Sequence, residues 1–335
     1  MRAWQVSAFG IDSLEFVERP TPAPGPGEVL VGVRAVSLNY RDLMVVKGSY
    51  NPKMKLPRIP FSDGAGEVVA VGADVTLWKP GDRVAGIFMQ NWFDGPLTAN
   101  KARGALGGDV DGMLTDFIVL KEPGLVAIPH HLSFQEAATL PCAAVTAWNA
   151  LATGELKPGS TVLIQGTGGV SIFALQFARL RGARVLGISS SYEKLDRASA
   201  IGLDAGLNYR DNPDWDRWAV EQTGDGVDLV VEVGGLGTLP RSLRALRMGG
   251  TISQIGVLTG TAPQEALPLP AILHKQANIR GIYVGSRQDF LDMNKAILLT
   301  QLRPVGEDFP WTHARQVLAK LEESSHFGKL VMTIA

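Results

Sequence analysis

The sequence predicts an α/β protein in which a doubly wound parallel sheet domain is inserted into a β-rich domain. Its 335 residues are enough for two domains that each bury a core. Residues 1–125 contain short β-branched segments bounded by Gly, Pro or Asp, such as EVLVGVRAVSL, GEVVAVG and DRVAGIF. From residue 126 onward, apolar strands alternate with helices of about ten residues, which is the pattern of a parallel sheet covered on both faces.

The strands and helices of this second region follow in a regular order. Residues 133–153 open with a serine followed three residues later by a glutamate, which predicts a capping box and a helix. The predicted strands are then STVLIQG, ARVLGISS, AGLNY, VDLVVEVGG and GTISQIGV, with a helix after each of the first four. The terminal GKLVMTIA is a predicted strand that returns the chain to its first domain. The predicted domains are therefore residues 1–125 with 271–335, and residues 126–270.

The composition argues against several classes of partner. With a formal net charge of -1 and 19% charged residues, the chain lacks the basic surface that nucleic acid or an anionic membrane requires. No signal-peptide core opens the sequence, and no apolar run approaches the roughly 20 residues that span a bilayer, so we expect a cytoplasmic protein. Because Cys142 is the single cysteine, an internal disulfide and a four-cysteine zinc cluster are excluded.

A glycine turn follows the first predicted strand of the second region and opens its first helix; it consists of Gly166, Thr167, Gly168, Gly169 and Val170. The first glycine permits a tight turn, the second lets the backbone approach a pyrophosphate, and the helix N-terminus offers N–H groups and a partial positive charge. Inside this βαβ series the turn predicts dinucleotide binding, and glycines that serve packing alone are the alternative.

The end of the next strand bears on which dinucleotide is bound. An NAD-binding site usually places Asp or Glu there to bind the ribose hydroxyls. This chain has Ser189 and Ser190, with Lys194 beyond, and so lacks the carboxylate that would repel a 2′-phosphate. NADP(H) is therefore favoured over NAD(H). A solvated helix lysine is the alternative for Lys194.

The layout resembles the medium-chain dehydrogenase/reductase superfamily over nearly the whole chain. The similar segments are LNYRD (38–42), LPRIPFSDGAGEVVAVG (56–72), WKPGDRV (78–84), AATLPCAAVTAW (137–148), VLIQGTGGV (162–170) and GKLV (328–331). The resemblance implies a GroES-like catalytic domain split by an inserted Rossmann domain that binds NADP(H). It also implies a homodimer, formed through the edge of the cofactor-domain sheet at TISQIGVLTG.

The zinc-dependent members of this superfamily differ from this sequence at their metal ligands. They carry a Cys in the first segment, Gly-His-Glu in the second and a further Cys or Asp in the fourth. Here Asn39 stands at the first position, Ser62 and Asp63 replace His-Glu, and Cys142 alone matches. One thiol and no imidazole do not supply the three protein ligands of a catalytic zinc, so no metal is expected, and Cys142 is interpreted as a small buried apolar residue.

The pattern is similar instead to the zinc-free quinone oxidoreductases and enoyl reductases. In that resemblance Asn39 lies against the nicotinamide, Asp42 fixes the loop, and Tyr50, eleven positions after the asparagine, is the active-site tyrosine. Tyr40 is the local competitor of Tyr50. A packing role for Tyr50 and a turn-stabilising role for Asn39 are the alternatives.

Further cofactor contacts follow from the same resemblance. Lys194 and Tyr209 would clamp the NADP phosphate with help from Lys329, and Thr146 would lie beside the nicotinamide ribose or ring. The backbone of Val284 and Gly285 would meet the carboxamide. Gly234 and Gly256 end apolar strands, where doubly wound sheets bind ligands, and they are predicted cofactor contacts as well.

These residues predict an NADPH-dependent, zinc-independent oxidoreductase. Without a metal, a quinone or an α,β-unsaturated carbonyl is the less demanding acceptor, because charge spreads onto an oxygen that hydrogen-bond donors can hold. An alcohol or aldehyde dehydrogenase of the same superfamily, and a cofactor-binding protein without turnover, are the alternative functions.

Overall fold

The protein is described here from a computed structural model, which covers residues 1–258 and 266–335. Its strands are β1 Arg2–Val6, β2 Leu14–Glu18, β3 Glu28–Ser37, β4 Asp63–Val71, β5 Arg83–Gly86, β6 Phe117–Lys121, β7 Leu125–Ala127, β8 Thr161–Gln165, β9 Arg184–Ser189, β10 Ala205–Asn208, β11 Val227–Glu232, β12 Leu246–Gln254, β13 Asn278–Gly281, β14 Gly306–Pro310 and β15 Lys329–Thr333.

The helices are shorter than a membrane span and lie mostly between these strands. They are α1 Tyr40–Val46, α2 Phe134–Ala138, α3 Val145–Ala152, α4 Gly169–Leu180, α5 Tyr192–Ala200, α6 Trp215–Thr223, α7 Leu239–Ala245, α8 Leu269–Lys275, α9 Arg287–Thr300 and α10 Ala314–Glu322. Within the two described ranges, none of them is long and apolar enough to cross a membrane.

The first compact unit comprises Met1–Val145 and Gly285–Ala335. Its main sheet has the strand order β14-β15-β3-β4-β5-β7, and β6 pairs with β3 outside that path. The long strand β3 pairs antiparallel with β6 through its first half and with β15 through its second half. The C-terminal strand therefore belongs to the same sheet as β3, β4 and β5, as the sequence predicts, while β1 and β2 form a separate two-stranded sheet.

The second compact unit is Thr146–Val284, a six-stranded sheet with the order β10-β9-β8-β11-β12-β13. All neighbouring strands are parallel, and every residue of β8 is buried. The order reverses between β8 and β11, which is the topological switch point where doubly wound sheets bind their ligands. The predicted α/β fold, a Rossmann-like sheet with a β-rich domain, is confirmed.

The unit boundaries at residues 145 and 284 lie later in the chain than the predicted 125 and 270. Helix α2 contacts β3 and β4, which holds it in the first unit. Strand β13 pairs in parallel with β12, which holds residues 278–281 in the second. The sequence does not predict β13 as a strand, because its four residues are all exposed and include the charged Arg280, so they show no apolar pattern.

The helix predicted over residues 133–153 is interrupted. The capping box is confirmed, since Ser133 Oγ accepts from Glu136 N at 3.1 Å and Glu136 Oε2 accepts from Ser133 N at 2.8 Å. Between α2 and α3, however, residues Leu140–Ala144 form a π-helical turn. Pro141 lies in this turn, and a proline has no N–H to donate to the α-helical pattern.

The sheet edge also differs from the predicted one. Residues 251–254 of TISQIGVLTG belong to β12, which has a partner on both sides, and residues 259 and 260 lie outside the described ranges. The prediction that this segment forms the edge was wrong, because β13 adds one more strand beyond it.

Candidate functional site

The glycine turn of the second unit has the shape that a bound phosphate needs. Gly166 has φ +68°, a conformation that favours glycine, and Gly168 is the N-cap of α4 with no side-chain cap. A Cβ at either position would meet no atom within 4 Å, so the space beside the turn is open. Thr167 is buried, and Gly169 and Val170 are half-buried in the first turn of α4. The turn fits a dinucleotide pyrophosphate at a helix N-terminus.

Serine hydroxyls shape the end of β9. Ser189 is buried and its Oγ accepts from Ser191 N at 3.3 Å, while Ser191 caps α5 by accepting from Lys194 N at 3.4 Å. Tyr209 directly follows β10, and its N–H donates to Ser189 O at 3.0 Å, so the exposed Tyr209 lies next to the end of β9. Ser190 is half-buried between Ser189 and the capping Ser191. The structure thus brings together four of the residues predicted to surround the ribose.

One carboxylate at this end of the sheet was missed in the sequence. Asp211 hydrogen bonds to the exposed Tyr192, and this bond raises the pKa of the Tyr192 phenol. Because Asp211 lies two residues after Tyr209, beyond the expected strand end, the usual spacing of an acidic ribose ligand does not reveal it.

Packing alone requires glycine at two of the predicted contact positions. A Cβ on Gly234 would lie 2.2 Å from Thr238 Oγ1, and one on Gly256 would lie 1.8 Å from Val233 O. Gly234 N also donates to Glu232 Oε1 at 2.8 Å. Close packing is enough to explain why both positions are glycine, and their contacts with a cofactor stay predictions.

The predicted carboxamide segment contains a strained residue. Val284 is buried with φ +58°, which a β-branched side chain rarely adopts, and such strain clusters at ligand sites. Its carbonyl accepts from Asn149 Nδ2 at 2.9 Å, a support that the sequence does not reveal. Thr146 is buried one turn before Asn149 in α3. Gly285 belongs to the first unit, where a Cβ would lie 2.7 Å from Val145 Cγ1.

In the first unit, Asn39 lies at the start of α1 in a buried polar cluster. Asp42 Oδ2 accepts from Asn39 N at 2.8 Å and Asp42 Oδ1 accepts from Ser62 N at 3.3 Å, so Asp42 ties two loops together. Asn39 Nδ2 donates to Ser62 Oγ at 3.4 Å, and that hydroxyl donates to Asp63 Oδ1 at 2.6 Å. The expected loop-fixing role of Asp42 agrees with these contacts.

Lys329 completes this cluster. Its side chain is 3% exposed, and Nζ donates to Asn39 Oδ1 at 2.5 Å and to the carbonyl of Leu38. A buried amine with these partners is not available to a cofactor phosphate. The interpretation of Lys329 as part of the phosphate clamp was therefore wrong.

Burial dominates the electrostatics of the cluster. It raises the pKa of Asp42 to about 6, against the attraction of Arg41, and it raises the pKa of Asp63, against the attraction of Lys329. Burial also lowers the pKa of Lys329, and Asp63 opposes that effect. The ammonium and the two carboxylates therefore compensate one another inside the protein.

The donor set does not fit a catalytic zinc. Burial, followed by the nearby Asp63 charge, raises the pKa of the Cys142 thiol, so it holds its proton at neutral pH. An amide at Asn39 and a hydroxyl at Ser62 stand where imidazole or thiolate would be needed, beside the Lys329 ammonium. Among the described residues, no three His, Cys, Asp or Glu side chains are grouped to hold a metal ion.

The Tyr50 ring makes a cation–π contact with Arg41. The Arg41 guanidinium carbon is 5.0 Å from the centre of the half-buried Tyr50 ring and 4.9 Å from that of Phe88. Arg41 Nη1 donates to Leu106 O at 2.6 Å, which holds the guanidinium in place. Tyr40 is exposed as the first residue of α1. The sequence does not predict a role for Arg41, because the motif specifies Asn39 and Asp42 and leaves position 41 open.

Comparison with known proteins places the chain in a family. A model of the zinc-binding dehydrogenase family matches residues 169–298, and one of the alcohol dehydrogenase GroES-like domain matches residues 25–130. A zinc-type alcohol dehydrogenase-like protein of Schizosaccharomyces pombe is 44% identical over 333 residues, covering 97% of this chain and 96% of that protein. The chain belongs to the medium-chain dehydrogenase/reductase superfamily, and it is an oxidoreductase of the alcohol dehydrogenase-like type.

Other relatives carry different activities in their names. An acryloyl-coenzyme A reductase of Metallosphaera sedula is 32% identical, with 95% of this chain and 96% of that one covered. A solved NAD-dependent alcohol dehydrogenase is 33% identical, with 100% of both chains covered and a TM-score of 0.91. The solved quinone oxidoreductase of Coxiella burnetii is 26% identical, with 100% of this chain and 99% of that one covered and a TM-score of 0.80. The family binds a nicotinamide cofactor.

Replacing Lys329 tests the charge balance of the cluster. Lys329→Met leaves the buried Asp63 without its cation, while Asp42 keeps Arg41 at 3.5 Å, so the free energy of unfolding at pH 7 should fall by about 3–5 kcal/mol, measured by urea denaturation. The loss should shrink as the pH falls toward 5, because the buried acids take up protons at a higher pH in the folded state than in the unfolded state. The exposed Lys295→Met is the control, with an expected change within about 0.5 kcal/mol. Equal losses in the two variants would contradict this account.

Proposed function

We propose that the protein is an NADPH-dependent, zinc-independent oxidoreductase that reduces a quinone or an α,β-unsaturated carbonyl compound. The observation that carries the proposal is the buried side-chain nitrogen of Lys329, which donates to Asn39 Oδ1 at 2.5 Å. Asn39 and Ser62 stand at two of the positions where zinc-dependent members have metal ligands, and the cation beside them would repel a metal ion.

The second unit supports the choice of cofactor. The open glycine turn after β8 suits a pyrophosphate, and the end of β9 carries serines where a carboxylate would repel a 2′-phosphate beside Lys194 and Tyr209. When bound, the nicotinamide supplies the hydride. Asp211 on Tyr192 adds a negative charge nearby, so NAD(H) is the alternative that a binding experiment must compare.

The first unit offers a hydrogen-bond donor for an acceptor oxygen. Because Asn39 Oδ1 accepts from Lys329, the amide orientation is fixed, and Nδ2 faces Ser62 Oγ at 3.4 Å and the Asp63 carboxylate. Tyr50, supported by Arg41, can donate its phenolic proton. A neutral phenol donor suits the delocalised charge of a reduced enone or quinone, whereas a simple ketone concentrates charge on one oxygen.

Alcohol or aldehyde oxidation is the second candidate function. It is favoured by the likeness to the NAD-dependent alcohol dehydrogenase structure over the full length of both chains. It would need the Tyr50 donor to hold an alkoxide without a metal.

An acceptor panel tests the reaction and the role of Tyr50. NADPH oxidation should be fastest with an enone, an enoyl thioester or a quinone, and alcohols with NADP⁺ should be poor substrates. Tyr50→Phe should lower kcat/KM on the best acceptor about 10²-fold through loss of a general acid, while the neighbouring control Tyr40→Phe retains the wild-type rate. An unchanged rate in Tyr50→Phe would remove this residue from the mechanism.

The same assay tests two other parts of the proposal. Rates that fall when a zinc chelator is added would overturn zinc independence. An absence of NADPH oxidation with every acceptor would favour a binding protein without turnover.

A charge placed at the end of β9 tests cofactor choice. Ser190→Asp puts a carboxylate at the ribose position, so the Kd for NADPH should rise roughly tenfold and that for NADH should fall, as measured by titration calorimetry. Ser199→Asp adds the same charge at the far end of α5 and should change neither constant. Wild-type protein that binds NADH more tightly than NADPH would contradict the proposed preference.

We also propose that the chain forms a homodimer through β13. All four residues of this outermost strand are exposed, and α8, which precedes it in the chain and contacts β12, exposes Leu269 and Leu273, the latter to 75%. An edge strand presents unpaired backbone N–H and C=O groups that invite pairing, and a twofold axis lets the same strand pair with its own copy.

A single charge should separate such a dimer. Leu273→Asp buries a carboxylate in the proposed interface, so sedimentation should shift from the dimer mass to the monomer mass. Leu299→Asp, on the equally exposed face of α9 in the first unit, is the control and should leave the mass unchanged. A wild-type protein that sediments as a monomer at micromolar concentration would contradict the proposal.

A further inference from the structure

Two buried polar side chains end the two central strands of the second unit. Gln165 is the last residue of β8 and Glu232 the last of β11, and they are 4% and 0% exposed. Backbone pairing between these strands stops one residue earlier, at Ile164 and Val231. At the topological switch point, β8 and β11 are therefore joined by side-chain hydrogen bonds just beyond the last backbone pair.

Glu232 holds the turn that follows its own strand. Its carboxylate accepts five hydrogen bonds, from the amides of Gly234 and Gly235 at 2.8 and 2.9 Å, the hydroxyls of Thr238 at 2.6 Å and of Ser242, and the side-chain amide of Gln165 at 2.7 Å. Every one of these donors is neutral. A buried carboxylate is costly unless hydrogen bonds satisfy it, so each donor is needed to keep it there.

Gln165 connects this turn to the glycine turn. Its Nε2 donates to Glu232 Oε2, and its Oε1 accepts from the amides of Val233 and Gly234 at 3.2 and 3.3 Å. Gly166, the first residue of the glycine turn, follows it directly in the chain. One side chain thus bridges the loops at the carboxyl ends of β8 and β11.

The geometry points to Gln165 and Glu232 as a positioning pair that sets the shape of the dinucleotide crevice, an inference that rests on the proposed binding of NADP(H) by this unit. Ligands of doubly wound sheets bind between the loops that this pair joins. Gly235, with φ +99°, is held in its turn by the Glu232 carboxylate. If that turn samples other conformations, the apparent Kd becomes the intrinsic Kd divided by the fraction of molecules that are competent to bind.

The hydrogen-bond inventory of the pair allows a sharp test by exchange. In Glu232→Gln, an amide NH₂ replaces a carboxylate oxygen and meets the NH₂ of Gln165, so at least one buried donor loses its acceptor. In the double variant Gln165→Glu/Glu232→Gln, the carboxylate at 165 accepts from Val233, Gly234, the new amide and Ser242. The carbonyl at 232 then keeps Gly234, Gly235 and Thr238. The second proton of the new amide goes to Ser242 Oγ, which in the wild type accepts from Gln165 Nε2 at 2.8 Å, so every donor again has an acceptor.

Titration calorimetry on the full-length protein measures the effect with NADPH, with NADH and with adenosine 2′-phosphate. Glu232→Gln should raise the Kd for NADPH roughly tenfold, and the double variant should return it close to the wild-type value. Adenosine 2′-phosphate reaches only the β9 end of the crevice, so its Kd should be the same in all three proteins. This pattern is not expected of a global loss of stability, which thermal denaturation of the same samples reports.

The outcomes separate this inference from the proposed function. An unchanged NADPH Kd in Glu232→Gln, or a double variant as weak as the single one, overturns the positioning role alone. If the Kd values for NADPH and adenosine 2′-phosphate rise equally, the pair has a purely structural role, and the positioning role is overturned as well. Wild-type protein that binds neither dinucleotide overturns the proposed function, and this inference with it. If Glu232→Gln does not fold, Thr238→Val, which removes one donor, should weaken NADPH binding relative to Thr238→Ser, and equal constants in that pair count against the inference.

Discussion

The first unit depends on one buried charge, the ammonium of Lys329. Two carboxylates, Asp42 and Asp63, lie in the same interior, where each charge alone would cost several kcal/mol of desolvation. The amine is bonded to Asn39 and Leu38, and the carboxylates accept from backbone amides and from Ser62, so the cluster is satisfied as a whole. Because Lys329 is supplied by β15, the cluster is complete only when the chain has returned to this sheet after the inserted unit.

The second unit buries a carboxylate in a different way. Glu232 has neutral donors in place of a cation, and its five hydrogen bonds fix the turn after β11 rather than balance a charge. Since the donors include Gln165 on the neighbouring strand, the arrangement also relates two loops. The two clusters show how the same side-chain type can serve charge compensation in one place and backbone shape in another.

A shared fold leaves the chemistry of this superfamily open, and the side chains at a few positions decide it. The relatives that match this chain over nearly its full length are named for alcohol oxidation, enoyl-thioester reduction and quinone reduction. In this chain the relevant positions hold an amide, a hydroxyl and a protonated thiol around an ammonium, a set suited to hydrogen bonding and unsuited to metal coordination. The reaction proposed above follows from those groups rather than from the fold.

The sequence by itself determined whatever depends on neighbours in the chain. Strand and helix periodicity, the capping box at Ser133, the glycine turn at Gly166 and the replacement of zinc ligands at Asn39 and Ser62 could all be recognised locally. Tertiary structure decided the rest, because hydrogen bonds between distant residues leave no local pattern. Lys329 meets Asn39 across 290 residues, Gln165 meets Glu232 across 67, and the short exposed strand β13 gains its place only by pairing with β12. The partner of a buried charge is set by which strands lie side by side, and that order is a property of the whole fold.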